Sequence, residues 1–423
     1  MVPGDAAAAA MRYIVAMPNA PVFSLPRLDR LGDRLVADVA SGAIAGADLL
    51  VGGTGGDIWR RTVGFRDSVA GIALEPDALW RIYSMTKVVV SVATMVLAEH
   101  GALRLDQRVA DFIPAFGRLG VLDPEGRVAP AQTAPTVQDL LRHTAGIAYG
   151  YLGDGPARRA YEIDGLLAED LDNEAFAARI ARLPLEHAPG TVWHYSHATD
   201  VLGRVLEVAG GADLQGVLGA TLLEPLGLAD TRFRVPAALA ARVAQPLPQA
   251  PGQRPAFHDP TEPRRSQRGN GGLVSSTADY TRFLRMLLAG GALDGVRILA
   301  PASVRLMTSD HLGTAIAKGA YYPPGPGYGF GLGVAVRLAA GEAPVLCSVG
   351  DWFWSGVGGT YFWVDPTAGF FALLMMQTSA ATQRQHYRTL TRAMVYAALD
   401  VARGEGCRHG VSALIFGETA TSL

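Results

Sequence analysis

A chain of 423 residues is long enough for two or three domain-sized units. Hydrophobic residues make up 49% and charged residues 18%, so a large core is available and wholesale disorder is excluded. The formal net charge is −2 with no basic block or stripe, which argues against nucleic acid and for a small, mostly neutral ligand.

The first 20 residues carry part of a secretory-signal pattern. Asp5 stands where positive charge belongs and Arg12 interrupts the apolar run, so a cytoplasmic location is expected, with a periplasmic one left open. No uninterrupted run of roughly 20 apolar residues implies a membrane partner. Residues 47–54 form a short run of small and apolar residues. Gly55, Gly56 and Asp57 then supply turn chemistry, and 58–65 resumes with strand character, so a hairpin is expected. From Ser84 to His100 the chain is apolar nearly all round and Gly101 follows as a stop. That predicts a buried helix with Ser84 in its first turn.

Residues 106–265 have another texture, with helical stretches at 137–142, 174–183 and 199–209 separated by Pro/Gly-rich segments; 245–255 reads as a loop. Ser276 to Asp279 resembles a capping box opening a helix to Leu288. Strand-like runs follow at 329–336, 345–349, 360–364 and 370–376, and a last amphipathic helix is expected over 385–403. Strands, helices, strands and a closing helix predict a discontinuous α/β domain, 25–105 with 266–405, carrying an inserted helical domain at 106–265. Residues 1–24 form an extension and 406–423 a tail.

Two cysteines, Cys347 and Cys407, cannot build a disulfide framework or a four-ligand zinc site, and the nine histidines show no ligand spacing; no metal or cofactor is expected. No serine lies in a Gly-x-Ser-x-Gly elbow.

The chemistry concentrates at Ser84 and Lys87. Residues i and i+3 share a helix face, so hydroxyl and amine can touch. A helix N-terminus favours negative charge on the oxygen. Burial among Val88, Val89 and Val90 lowers a lysine pKa by disfavouring the charged form. Only two of the 37 basic residues are lysines, Lys87 and Lys318. Arginine cannot act as a base and lysine can. With 16 serines, chance gives about 0.08 Ser-x-x-Lys pairs.

The stretch 81–116, RIYSMTKVVVSVATMVLAEHGALRLDQRVADFIPAF, resembles the Ser-x-x-Lys region of the serine β-lactamase and penicillin-binding-protein superfamily. The resemblance is nearest to the family VIII carboxylesterases, which look like class C β-lactamases. LLRHTAGI (140–147), PGTVWHYSHATDVLGRVLE (189–207), GNGGLVSSTADYTRF (269–283) and WSGVGGTYFWVDP (354–366) match further family motifs in order. The resemblance implies a β-lactamase/transpeptidase-like fold: an antiparallel sheet flanked by helices, with the inserted domain.

It also implies that Ser84 is acylated, that Lys87 is its partner, and that Tyr195 is the general base, as a phenolate held by Lys87. The backbone N–H groups of Ser84 and of Val357, on an edge strand, would form the oxyanion hole. Tyr83, His197, Trp354, Ser355 and Gly356 would contact substrate; His143 would be structural, and His194 would not act. Trp354 stands where β-lactamases carry the lysine of Lys-Thr-Gly, and His197 stands where they carry asparagine. Both departures turn the site from anionic lactams towards small neutral esters. A lactamase or D-Ala-D-Ala peptidase, an acyltransferase, and a silent binding or sensor protein are the alternatives.

Overall fold

The run of small residues and its glycine turn do form a hairpin, and that hairpin sits inside a larger sheet. The computed structural model describes residues 21–123, 125–152, 156–166, 170–248 and 257–400. Helix α1 (Leu25–Ala40) leads into strands β1 (Gly46–Gly53), β2 (Gly56–Asp67) and β3 (Ile72–Ala73). Far along the chain come β4 (Tyr328–Phe330), β5 (Ala335–Arg337), β6 (Trp352–Ser355), β7 (Tyr361–Asp365) and β8 (Phe370–Met376). Numbered within this sheet, the strands lie in the order β4-β5-β6-β7-β8-β1-β2-β3, every neighbouring pair antiparallel.

Strand periodicity explains how the sheet serves two cores. Along β8, Phe370, Ala372, Leu374 and Met376 pack on one face with Leu28, Leu31 and Leu35 of α1 and Val395 of the last helix. The alternate residues Phe371, Leu373 and Met375 join the larger core on the other face, with Tyr280 and Phe283. An apolar-on-both-sides strand is what a sheet covered by helices requires. Truncating a ring such as Phe371 costs about 3–5 kcal/mol.

The helices between β3 and β4 are α2 (Thr86–Glu99), α3 (Val137–Leu141), α4 (Pro156–Asp164), α5 (Asn173–Ile180), α6 (Ala198–Gly210), α7 (Leu214–Leu218), α8 (Thr277–Leu288) and α9 (Pro301–Met307). Helix α10 (Ala381–Ala398) closes the chain's described part. No described strand of 106–265 joins the eight-stranded sheet. The Ser276 hydroxyl accepts the Asp279 N–H and starts α8, but the expected capping box is only half formed, because the Asp279 carboxylate accepts from the Asp230 N–H and the Thr231 hydroxyl instead. Among the described residues no helix is long and apolar enough to cross a membrane.

Four local readings change. Residues 329–336 are not one strand but the hairpin β4–β5, turned by Gly331 to Val334, with Gly333 at φ 91°. Residues 345–349 are apolar yet form a loop: Arg392 Nε takes up the Leu346 carbonyl, a group a ladder would have used, and Arg337 Nε donates to the Cys347 side chain. The last helix starts four residues early and stops at Ala398, where Leu399–Asp400 pair with Val22–Phe23. The buried helix begins at Thr86, with Ser84 in a preceding 3₁₀ turn, Tyr83–Met85. The signal-like residues 1–20, residues 249–256 of the expected loop, and residues 401–423, which include the tail, lie outside the described residues.

Candidate active site

Ser84 is presented by a strand that stops and a helix that has not begun. Leu79–Arg81 pair with Val274–Ser276, and the Ile82 N–H still reaches the Leu273 carbonyl. Tyr83 then takes φ 44°, a left-handed conformation that costs a non-glycine residue about 1–3 kcal/mol. Its ring is held edge-on by Phe257 and His258, and a Cβ on Gly358 would lie 2.5 Å from it. The turn thus lifts Ser84 out of the strand line and aims the first turn of α2 at its hydroxyl.

Two side chains converge on Ser84 Oγ. Lys87 Nζ lies at 3.2 Å and also donates to the Asn270 carbonyl at 2.7 Å. The Tyr195 hydroxyl donates to Ser84 Oγ at 2.8 Å. Lys87 is 1% exposed, and burial pulls its pKa down to about 7, although the Asp200 carboxylate holds it partly up. Tyr195 moves the other way. Burial pushes its phenol well above the usual value, and the bond to Ser84 offsets this only in part. Its ring is walled by His143, Tyr149, Trp193 and Trp354, and Lys87 Nζ lies over its face, 4.7 Å from the centroid. Lys87 Nζ thus sits on the π face of Tyr195 while the hydroxyl meets Ser84 Oγ, and burial favours the neutral phenol over the expected phenolate.

Behind the lysine lies a network that sequence reasoning missed. The Asn270 amide donates to Asp200 Oδ2 at 2.5 Å and to the Tyr149 hydroxyl at 2.9 Å, and its backbone N–H donates to Asp200 Oδ1. His197, expected against substrate, is 2% exposed and does not line the cavity; it pairs with Asp200 Oδ2 at 2.8 Å. Its signal was the spacing, three residues ahead of Asp200 at the start of α6, which favours a local pair over a ligand contact. His143 is buried at φ 57° and packs edge-on against Tyr195; burial holds it neutral. His194 is half-buried beside His187, away from the cavity lining.

A cavity of about 590 Å³ opens over Ser84, lined by Tyr195, Trp354, Ser355 and Val357 among others. Tyr83 and Gly356 are not among its lining residues; they shape it from behind. A Cβ on Gly356 would lie 2.3 Å from Thr360 Oγ1 and 2.6 Å from the Ile82 carbonyl, so only glycine lets this strand end approach the serine turn. Strand β6, expected at the edge, is interior, between β5 and β7. Val357 lies just past its end, 54% exposed, and its N–H meets no described acceptor. The peptide unit that carries this N–H is fixed from its other side: Arg388 Nη2 donates to the Gly356 carbonyl at 2.9 Å. The wall from α10 was also missed, although Arg384, Arg388 and Arg392 recur at the four-residue spacing of one helix face.

The chain is similar to known proteins over most of its length. A Mycobacterium tuberculosis protein, Rv1367c, is 36% identical over 343 residues, covering 76% of this chain and 84% of that protein. Esterase EstB of Burkholderia gladioli is 31% identical over 375 residues, 84% of this chain and 90% of its own. The structure of EstCE1, described as a hydrolase with promiscuous acyltransferase activity, superposes with a TM-score of 0.75 at 26% identity, over 88% of this chain and 99% of that one. The Beta-lactamase family model matches residues 31–396. The chain therefore belongs to the beta-lactamase family, as a serine hydrolase of the family VIII esterase group.

Proposed function

We propose that the protein is a carboxylesterase that cleaves small esters through an acyl-enzyme on Ser84. The observation that carries this reading is the meeting of Lys87 Nζ and the Tyr195 hydroxyl on Ser84 Oγ, at 3.2 and 2.8 Å, from positions 3 and 111 residues away. Lys87, neutral in a large fraction of molecules near pH 7, takes the Ser84 proton as the oxygen attacks the ester carbonyl. This moves the base role from Tyr195, where burial favours the neutral phenol, to the lysine. The tetrahedral oxyanion is held by the N–H groups of Ser84 and Val357, each worth a few kcal/mol in the transition state. Tyr195, bonded to Ser84 Oγ, relays a proton from Lys87 to the departing alkoxide. Water then repeats the sequence: it loses a proton to Lys87, adds to the acyl carbonyl, and Ser84 leaves with the proton returned through Tyr195.

Trp354, buried against the Tyr195 ring, offers no cation for a lactam carboxylate beside the scissile bond, so that end of the site suits an uncharged ester group. Tyr195 comes from the segment 106–265, read as the inserted domain, and the cavity lies between that segment and β6. EstCE1 transfers acyl groups promiscuously; an alcohol taking the place of water would do the same here.

The test is a comparison of p-nitrophenyl butyrate with nitrocefin, alongside covalent labelling by a fluorophosphonate. Ester turnover far above lactam turnover, and labelling abolished by Ser84→Ala, are expected. Ser84→Ala, Lys87→Ala and Tyr195→Phe should each lower kcat by several orders of magnitude without adding, because the three act as a unit. A chain that is never labelled, or that prefers nitrocefin, removes the esterase reading.

A further inference from the structure

The cavity over Ser84 has a charge that the proposed reaction does not use. Among the described residues its lining includes Arg384, Arg388 and Arg392 and no aspartate or glutamate, in a chain whose 39 acidic residues outnumber its 37 basic ones. Arg392 is neutralised by its buried pair with Asp351. The other two are not: among the described residues no carboxylate makes an ion pair with Arg384 or Arg388. Arg384 Nη1 donates to the Ser379 carbonyl and Arg388 Nη2 to the Gly356 carbonyl, both neutral acceptors. Arg388 Nε is shielded from solvent and meets no acceptor among the described residues. Two guanidinium groups one helical turn apart, facing a partly closed cavity without a counter-ion, repel each other and leave donors unmet. Burial accordingly drags the Arg388 pKa down, with Arg384 adding to it. An anion in the cavity would relieve both costs, and a planar carboxylate matches the guanidinium fork.

We propose that the substrate carries a free carboxylate, bound by Arg384 and Arg388 on the wall that α10 gives the cavity, while the scissile ester lies uncharged over Ser84. This rests on the esterase reading above and modifies its expectation of a wholly neutral substrate. The carboxylate can belong to the acyl part, as in a half-ester of a dicarboxylic acid, or to the alcohol part.

Three probes distinguish these sources: phenyl hexanoate, phenyl hydrogen adipate, and the hexanoyl ester of 4-hydroxybenzoate. One of the two acids should exceed phenyl hexanoate in kcat/KM by about tenfold or more, the effect of one well-placed charged contact. Raising the salt to about 0.5 M should shrink that ratio, since the cavity is partly open to solvent. In Arg384→Gln the ratio should fall towards one. Arg384 is the residue to change because Arg388 also holds the Gly356 carbonyl. A wild-type ratio at or below one for both acids, or a ratio that Arg384→Gln leaves intact, overturns the proposal even if phenyl hexanoate is cleaved and the esterase reading stands. A readout without turnover separates the two further: calorimetric binding of phenyl hydrogen adipate and of the hexanoyl ester of 4-hydroxybenzoate to Ser84→Ala should be tighter than binding of phenyl hexanoate for at least one acid. Equal or weaker binding of both acids also overturns it.

Discussion

Lys87 is where burial becomes chemistry. Its ammonium is expensive in an apolar site, so the proton is given up near pH 7 rather than at the usual lysine value. Because the neutral amine is the base, the acylation rate should rise with pH through about 7 and then level, measured as the burst of p-nitrophenol in single-turnover mixing. A rate that stays flat through neutrality and climbs only where phenols ionise would return the base role to Tyr195. The stability consequence has its own sign. Below about pH 7 the lysine is charged in folded and unfolded chains alike and the fold bears the full desolvation penalty, which fades as pH rises towards the ordinary lysine pKa. Much of this was legible in the sequence, since a chain that writes nearly all its cations as arginine kept a lysine three residues after Ser84. Asp200 and Asn270 were not legible, because each looks like an ordinary polar residue at a helix start or in a glycine turn until the fold sets Asn270 against Lys87.

At the level of elements, β6 and its turn are the most constrained pieces near the serine. Gly356 lies where any Cβ would press on Thr360 Oγ1 and on the Ile82 carbonyl, the residue that opens the Ser84 turn. Gly356→Ala should therefore push the Val357 amide away from Ser84. Overpacking of this kind costs about 1–3 kcal/mol. Loss of one oxyanion donor lowers kcat about 10²–10³-fold. The expected pattern is a variant that folds, with a modestly lowered urea midpoint, and a kcat reduced far more than KM is raised; unchanged kcat would remove Val357 from the oxyanion hole. Period-2 patterning predicted β7 and β8 within a residue. It failed at 329–336 and 345–349. Gly331 and Gly333 are what turn the first run back on itself, and the Arg392 side chain takes the Leu346 carbonyl of the second. Such long-range partners leave no trace in local alternation.

Across the whole molecule, α10 ties its arginines to the sheet through a buried pair. Arg392 reaches Asp351, the Tyr361 hydroxyl and the Leu346 carbonyl, and both charges are almost wholly excluded from solvent. Removing one partner strands the other, so Arg392→Leu should cost about 3–5 kcal/mol by urea unfolding. Activity should fall with it at temperatures where the variant is still folded, because Arg384 and Arg388 ride on the same helix. A loss below about 1 kcal/mol would show that water reaches Asp351 in the folded chain. The sequence by itself determined the layered architecture and the serine–lysine pair, because helical and strand periodicity and a three-residue spacing are local rules that act before the chain folds. Only the tertiary structure decided what surrounds that pair: that Tyr195, its ring packed among other rings, brings its hydroxyl to Ser84 Oγ, that His197 turns inward to Asp200, and that Arg384 and Arg388 of the last helix, with no carboxylate partner among the described residues, line the same cavity. The physical reason is that burial and counter-charge belong to no residue alone, and both are set by which distant segments close over the site.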